Sequence, residues 1–435
     1  MPDLDHSPDP QKPAGPAKRT ASGSRGVVSS VLVAVLLLVM VDVSFGYFHP
    51  LKGVKTIGLD RGEPFNASAA VRQGFSLDAA DLKDGATLSE VVLLGSSLVV
   101  APCLQSESAF QAKPLERFHE RRLTGFEQDL KVALDQASVP AHSTEIRSYL
   151  LASGGAMASD AYFLEKNVLS DAPDKGRHLA IIYGIGPRDF QDNLFPRVDS
   201  SAIFQVLGRL DDLPTVFKSE PTITFEEGGA MVMGRLSSLM RYRGDLLRVL
   251  NVRTKRTIEK LVPGVLFEKY SDSLVLKRQK DGLFPEEAQG TPLVYPNLAI
   301  DHNDWKKTNY EYIRRYNPID QSKSQTQFAY FERFLQLASF RHINVLVVNM
   351  PISKLNRSVI PPGFYDRYLA TTKNLCERYG ADYSDFNVAP WCQDTNFVDS
   401  VHLKPQVSQA FMRDLARTTA KSSLSVAAVK RGPTL

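Results

Sequence analysis

Short apolar runs of strand length alternate with stretches of helical periodicity along much of this chain. The strand-like runs occupy 91–94, 146–152, 179–183 and 343–349, and the helical stretches occupy 114–137, 158–169, 327–340, 363–378 and 405–421. Continuous apolar runs are typical of parallel strands that are buried on both faces. The alternation predicts an α/β fold built on a doubly wound, mostly parallel sheet.

A long, less regular stretch interrupts this alternation. We interpret 195–325 as an insertion into a domain whose first part covers 89–194 and whose second part covers 326–421. Within the insertion, the patches at 222–225 and 273–276 favour strands. We assign 49–88, which lacks clear periodicity, as a linker, and 422–435 as a flexible tail.

The N-terminal region contains one long apolar segment. Residues 27–41 carry no charge, and the apolar run resumes after Asp42 to end near 48. About 22 such residues can cross a hydrocarbon core of roughly 30 Å. Basic residues upstream predict a cytoplasmic, disordered 1–26 and a periplasmic or extracellular domain after the anchor. The alternative is a cleavable signal peptide.

The overall composition excludes several classes of function. The 52 basic and 48 acidic residues give a net charge of only +4, which argues against a nucleic-acid surface. Three cysteines, Cys103, Cys376 and Cys392, exclude a disulfide framework and allow one optional pair, with Cys376 and Cys392 closer in sequence. Because no metal-binding spacing or nucleotide motif occurs, we expect neither a metal nor a cofactor.

Ser97 is the candidate nucleophile. It lies in the segment Gly95-Ser96-Ser97-Leu98, directly after the first predicted strand. A sharp strand-to-helix turn at such a place can expose a serine hydroxyl at the carboxyl edge of the sheet. Taken alone, the same pattern also fits a simple tight turn.

Asp399 and His402 form the second candidate element. They lie three residues apart in a loop-like segment before the last predicted helix, so the carboxylate can orient the imidazole. A neutral histidine close to a serine can act as its general base. His119 has Glu116 at the same spacing, but that pair falls on a charged stretch of helical periodicity and is interpreted as surface decoration.

These two elements together resemble the conserved blocks of the SGNH hydrolases. The segment 95–98 is similar to their GDSL nucleophile block, and Asp399-x-x-His402 is similar to their C-terminal DxxH block. The segment 153–160 resembles the block that supplies an oxyanion-hole N–H, aligned on Gly155 with Gly154 as the alternate. In the segment 186–189, Arg188 replaces the usual asparagine, and Asn193 is a second candidate for the side-chain donor.

The resemblance implies an acyl-enzyme mechanism with Ser97, His402 and Asp399 as the triad, and either hydrolysis or O-acyl transfer as the reaction. The chain has a second, looser resemblance to membrane-anchored proteins that modify envelope polymers, such as alginate O-acetylation and D-alanine-transfer proteins. The implied partners are an acyl ester or surface polysaccharide, the lipid bilayer and envelope-modification proteins. The alternative is a catalytically silent scaffold of the same fold, for which the Arg188 replacement is the main sequence support.

The resemblance to SGNH hydrolases does not explain a basic stretch within the insertion. Between 235 and 260 there are eight Lys or Arg residues and two acidic residues, interleaved with leucines. Such a segment could contact anionic lipid head groups or an anionic polymer. The alternative is a solvated helix face.

Overall fold

We describe the fold from a computed structural model of the chain. It describes residues 23–48, 68, 70–75, 87–112, 121–137, 144–169, 177–195, 197–241, 246–247, 254, 257–258, 261–262, 302–422 and 424. The linker 49–88, the strand patch at 273–276, His119 and most of the tail fall largely or wholly outside the described residues.

The described residues contain one five-stranded parallel sheet, which confirms the predicted α/β class. Its strands run in the order β2-β1-β3-β4-β5. Their bounds are β1 Thr87–Gly95, β2 Thr144–Leu150, β3 Arg177–Ile185, β4 Asn344–Asn349 and β5 Asp382–Asp385. Strand order reverses on either side of β1, and in open parallel sheets ligands bind at the carboxyl ends of the strands at such a switch point.

The strands form because their apolar runs are buried completely. Val92, Leu93 and Leu94 of β1 are each 0% exposed. Val345 to Val348 of β4 are buried in the same way. β5, Asp-Tyr-Ser-Asp, is only half-buried at the edge of the sheet and has no apolar run, so the sequence patterns did not predict it.

Each of the five stretches of helical periodicity contains a helix, and the described residues hold further helices that the periodicity did not predict. Their bounds are α1 Gly23–Phe48, α2 Ser97–Gln111, α3 Thr124–Gln136, α4 Ala158–Asn167, α5 Ala202–Leu207, α6 Leu213–Ser219, α7 Phe225–Leu236, α8 Ser238–Arg241, α9 His302–Tyr316, α10 Gln321–Phe340, α11 Lys354–Ser358, α12 Phe364–Tyr379 and α13 Pro405–Lys421.

The helices pack in two groups. Helices α2, α3 and α13 contact one another, and α10 contacts α4 and α12. An aromatic cluster joins the second group to the sheet, with Tyr183 of β3 packed 4.9 Å from Phe334 and 5.9 Å from Phe331, measured between ring centroids. The core therefore continues from the sheet into this second group of helices.

Two local predictions were wrong. The strand patch at 222–225 is instead the start of α7, because the Thr224 hydroxyl accepts from the Glu227 N–H and the Glu227 carboxylate accepts from the Thr224 N–H. This reciprocal capping box fixes a helix start. In the helix predicted over 114–137, residues 121–123 are not helical and α3 begins at Thr124, since Arg122 pairs with Tyr149 in an isolated bridge. Residues 114–120 lie outside the described residues.

The cysteines do not form the optional pair. Cys103, Cys376 and Cys392 are buried free thiols. Burial raises the pKa of Cys392 to about 11 and that of Cys376 to about 12, and it also raises the pKa of Cys103. All three thiols therefore stay protonated at neutral pH and behave as small core residues.

The predicted membrane anchor falls within α1. Among the described residues, no helix combines the length and the apolar character needed to cross a membrane. The side chains at 27–31 and 48 lie outside the described residues. The anchor stays a prediction.

Candidate active site

Ser97 lies at the first position of α2, immediately after β1. The turn depends on Gly95, whose φ of +147° lies in the region that favours glycine. A Cβ at position 95 would also lie 2.6 Å from the carbonyl oxygen of Gly184 on β3. Because Val99 and Val100 already donate to the Ser96 carbonyl, the turn tightens directly into the helix and leaves Ser97 half-buried at its N-terminus.

The three residues predicted as a triad come together. His402 Nε2 lies 3.0 Å from Ser97 Oγ, and His402 Nδ1 lies 2.7 Å from Asp399 Oδ2. Both distances are within hydrogen-bond range. The arrangement has the order of groups that a serine nucleophile, its general base and the orienting acid require.

The loop around His402 is held by its own backbone. The N–H groups of Val401 and His402 each donate 2.8 Å bonds to Asp399 Oδ1. Val398 donates to the His402 carbonyl over 2.8 Å, and Phe397 and Leu403 form an isolated bridge. One carboxylate oxygen therefore fixes the loop while the other orients the imidazole.

A second contact fixes this loop to the end of β4. The Ser353 hydroxyl donates a 2.7 Å bond to the Ser400 carbonyl, and the Ser353 N–H donates to the same oxygen over 3.2 Å. Ser353 is also the N-cap of α11. The loop that carries His402 and Asp399 is thus bonded to the start of α11.

Asp399 is held as a carboxylate. Burial raises its pKa, but the hydrogen bond and charge of His402 and the N–H groups of Val401 and His402 outweigh burial, so the pKa lies below its usual range. An ionised carboxylate at this position can stabilise a protonated His402 ring.

The turn at 153–156 supplies the candidate oxyanion donor. Gly155 has a φ of +81°, and no atom lies within 4 Å of the place a Cβ would occupy. Ser153 donates a 3.0 Å bond to the Gly95 carbonyl, which joins this turn to the nucleophile turn. The N–H groups of Ser97 and Leu98 have no partner within their helix, as expected for the first turn. Backbone N–H groups of both turns can therefore serve a developing oxyanion.

Arg188 has a structural role that the sequence did not predict. It is 8% exposed, and its Nη2 donates over 2.7 Å to the Ala156 carbonyl and over 3.3 Å to Asp189, while Nη1 donates over 3.3 Å to Asp192. Burial opposes its charged form, but Asp189 and Asp192 keep the pKa above its usual range. These bonds join Arg188 to the carbonyl that follows Gly155 and to two buried carboxylates, so Arg188 holds the turn at 153–156.

Asn193 must also be corrected as an oxyanion donor. Its side-chain amide donates a 2.7 Å bond to the Pro318 carbonyl and a 3.4 Å bond to the Arg314 carbonyl. Its N–H donates to the Arg315 carbonyl over 2.9 Å. The side chain therefore attaches the segment after β3 to the end of α9, and its donors are occupied.

Sequence reasoning missed a buried charged network beneath the site. Asp160 Oδ2 accepts from the Met157 N–H over 2.8 Å, and its Oδ1 accepts from the Ser201 hydroxyl over 2.5 Å. Burial raises the pKa of Asp160 to about 6. On the other side, Arg315 of α9 forms an ion pair with Asp192. Ser201 and Arg315 both belong to the stretch that the sequence presented as an irregular insertion, so no motif marked them.

Tyr312 was missed for the same reason. It is 8% exposed on α9, and its ring packs 5.7 Å from that of Tyr316. Burial raises the pKa of the Tyr312 phenol, the charge of Arg188 opposes that rise, and the charge of Asp399 adds to it. The helix thus brings an aromatic hydroxyl into the electrostatic surroundings of both the triad and the buried network.

The site has the parts of a serine acyl-transfer centre. Among the described residues, no cluster of His, Cys, Asp or Glu could hold a metal ion. The chain matches no protein-family model and no curated protein.

Proposed function

We propose that this protein is a serine esterase or O-acyltransferase of the SGNH type, with Ser97 as nucleophile, His402 as general base and acid, and Asp399 as the orienting carboxylate. The observation that carries the proposal is the continuous chain of contacts from Ser97 Oγ through the His402 ring to Asp399. The strand order, with the serine at the switch point beside β1, supports a doubly wound, flavodoxin-like sheet of the kind found in that family.

The proposed reaction begins with attack on an ester carbonyl. Ser97 Oγ forms a bond to the carbonyl carbon while its proton passes to His402 Nε2. Negative charge that develops on the carbonyl oxygen is stabilised by the N–H groups at Ser97 and Gly155. When the tetrahedral intermediate collapses, the bond to the leaving oxygen breaks and His402 returns the proton to that oxygen.

The acyl group is then transferred from Ser97 to an acceptor. His402 removes a proton from water or from a sugar hydroxyl, whose oxygen attacks the acyl carbonyl. The bond to Ser97 Oγ breaks, and the serine recovers its proton from His402. Water as the acceptor gives a carboxylic acid, and a sugar hydroxyl gives a new ester.

We further propose that α1 anchors the enzyme in the membrane with its domain outside the cytoplasm, where acylated envelope polysaccharides are the substrate class. The described side chains of α1 support this, since Leu32, Leu36 and Met40 are 60%, 54% and 65% exposed. Large apolar side chains exposed along a helix are expected to be covered by lipid or by another protein.

A fluorophosphonate probe tests the nucleophile directly. Wild-type protein should become labelled, Ser97→Ala should not, and Ser106→Ala on the same helix should label like wild type. Turnover of short acyl esters with and without a sugar acceptor then separates hydrolysis from transfer. If folded wild-type protein neither labels nor turns over any ester, the silent scaffold is the better function, and Arg188 in place of the usual asparagine is its support.

A further inference from the structure

The loop between Asp399 and His402 is held in its middle by two buried side chains of another segment. The Ser400 carbonyl accepts a 2.7 Å bond from the Ser353 hydroxyl and a 3.2 Å bond from the Ser353 N–H. The Ser400 hydroxyl accepts a 3.3 Å bond from the Asn356 side-chain amide. Ser353 is 1% exposed, and Asn356 and Ser400 are 0% exposed. We call these three residues the Ser353 clamp.

The bonds inside the loop are separate from the bonds that the clamp makes. Asp399 Oδ1 accepts from the N–H groups of Val401 and His402, and Asp399 Oδ2 lies 2.7 Å from His402 Nδ1. These bonds do not involve Ser400, which is bonded to the other members of the clamp instead. If the clamp is lost, the loop can therefore keep its own shape, while its distance from the nucleophile is no longer fixed on this side.

A second network fixes the clamp to the sheet. The Asn387 side chain accepts from the Ile352 N–H over 3.0 Å and donates to the Met350 carbonyl over 3.0 Å. The same amide donates to Asp385 at the end of β5 over 3.1 Å, and Asn349 at the end of β4 donates to Asp385 over 2.9 Å. The segment that leads from β4 to the clamp is thus bonded to the carboxyl ends of two neighbouring strands.

Asn356 is an unusual residue for a purely structural position. Its side-chain oxygen is buried and has no hydrogen-bond partner in the part of the chain that the structure describes. A buried polar atom without a partner costs stability, and an apolar side chain of similar shape can be as stable or more stable. An apolar side chain could not supply the bond to the Ser400 hydroxyl, which lies next to the acid of the triad.

We propose that Ser353 and Asn356 are positioning residues, which hold the loop so that the His402 ring stays within reach of the Ser97 hydroxyl. This rests on the proposed function. His402 Nε2 lies 3.0 Å from Ser97 Oγ, and a displacement of a catalytic group by about 1 Å can lower a rate by about 10²-fold. Both positioning side chains bond to Ser400, so they act through the loop.

The experiment measures the rate of fluorophosphonate labelling of full-length protein over a series of pH values. Ser353→Ala removes the hydroxyl from the clamp, and Ser353→Thr restores a hydroxyl at the same position. Asn356→Leu removes the side-chain bond and keeps the backbone N–H that donates to the Ser353 hydroxyl oxygen. Ser358→Ala is the matched control, because this hydroxyl donates to the Leu355 carbonyl within the same helix. Urea unfolding gives the folded fraction to which each rate is normalised.

We expect Ser353→Ala to lower the labelling rate of folded protein by about 10- to 100-fold. Asn356→Leu should lower it by a smaller factor, and Ser353→Thr and Ser358→Ala should label at close to the wild-type rate. The apparent pKa in the pH profile of Ser353→Ala should match that of wild type, because Asp399 still bonds to the His402 ring.

Two results overturn the positioning role alone. A wild-type labelling rate in folded Ser353→Ala makes the clamp a contribution to stability only, and a shifted apparent pKa means that the clamp acts on the pairing of Asp399 with His402. If Ser353→Ala does not fold, Asn356→Leu decides between the same outcomes. A folded wild-type protein that does not label overturns the proposed function and this inference together.

Discussion

The guanidinium of Arg188 donates a 2.7 Å hydrogen bond to the carbonyl oxygen of Ala156, the residue that follows Gly155 in the oxyanion turn. The same group neutralises two buried carboxylates, Asp189 and Asp192. An arginine in place of the expected asparagine is therefore compatible with catalysis if backbone N–H groups supply the oxyanion hole. Arg188 then contributes by holding the turn that presents the Gly155 N–H.

Replacement of Arg188 should separate this positioning role from direct catalysis. Arg188→Met removes the cation between Asp189 and Asp192 and leaves Asp192 with Arg315 and Asp189 with the Gly186 N–H. Breaking a buried ion pair destabilises a fold by about 3–5 kcal/mol. Arg188→Lys keeps the charge but loses the forked donor, so it should recover most of the stability and only part of the acylation rate. Urea unfolding measures the stability, and the rate of fluorophosphonate labelling of folded protein measures the acylation rate. Equal labelling by wild type and Arg188→Lys would contradict a role in shaping the turn.

The two neighbouring glycines of the oxyanion turn offer a matched pair of substitutions. Gly155→Ala places a Cβ in open space but at a φ of +81°, which costs roughly 1–2 kcal/mol and favours a rearranged turn. Gly154→Ala also meets open space and has no such backbone conflict. We expect Gly155→Ala to lower the acylation rate at least tenfold, since a misplaced oxyanion donor costs up to about 10²–10³. Gly154→Ala should stay close to wild type, and the reverse order would assign the donor to Gly154.

The parts of the site that could be predicted from sequence are those with a local signal. Asp399 and His402 lie three residues apart, so their contact needs only a turn. Ser97 follows a buried apolar run, and a glycine before it marks the sharp turn. Buried apolar runs also predicted β1 to β4, because strands that are covered on both faces are apolar at successive positions.

The missed parts depend on contacts between distant segments. Arg315 meets Asp192 across 123 positions, and Ser201 meets Asp160 across 41. Neither pair has a spacing that a sequence pattern could reveal. Asn193 was predicted as an oxyanion donor from its distance along the chain to Asp189. Its amide instead donates to the carbonyls of Arg314 and Pro318, near the end of α9. The polar strand β5 was not predicted, because it lies at the edge of the sheet and its sequence has no apolar run.

Asp399→Asn tests the carboxylate of the triad. The amide keeps the size of the side chain but cannot stabilise an imidazolium, and it favours the wrong tautomer of His402. In serine hydrolases this change lowers turnover by about 10⁴-fold. We expect a loss of that order in fluorophosphonate labelling or ester turnover, while Asp366→Asn, at an exposed position on α12, serves as the control. A loss of less than tenfold would show that His402 does not depend on Asp399.

The same substitution should change stability at acid pH. The pKa of Asp399 in the folded protein lies below its ordinary value of 3.8, so the unfolded chain takes up the proton first as pH falls. The stabilisation from this carboxylate is therefore complete above the ordinary value and is lost as pH falls through the folded pKa. Urea unfolding at a series of acid pH values should show a shallower acid loss for Asp399→Asn than for wild type.

Asp160 should give a stability change of the opposite sign. Burial raises its folded pKa to about 6 from 3.8, so between these values the native state binds more protons than the unfolded chain. Stability from this group therefore falls as pH rises through that window, by roughly 3 kcal/mol in total. Asp160→Asn cannot lose a proton, so its unfolding free energy should lack this decline, although the amide can accept from only one of Met157 and Ser201. Urea unfolding from about pH 4 to pH 7 measures the difference between the two proteins. Parallel curves for wild type and Asp160→Asn would mean that Asp160 is ionised throughout and is held by Arg188 more strongly than burial opposes it.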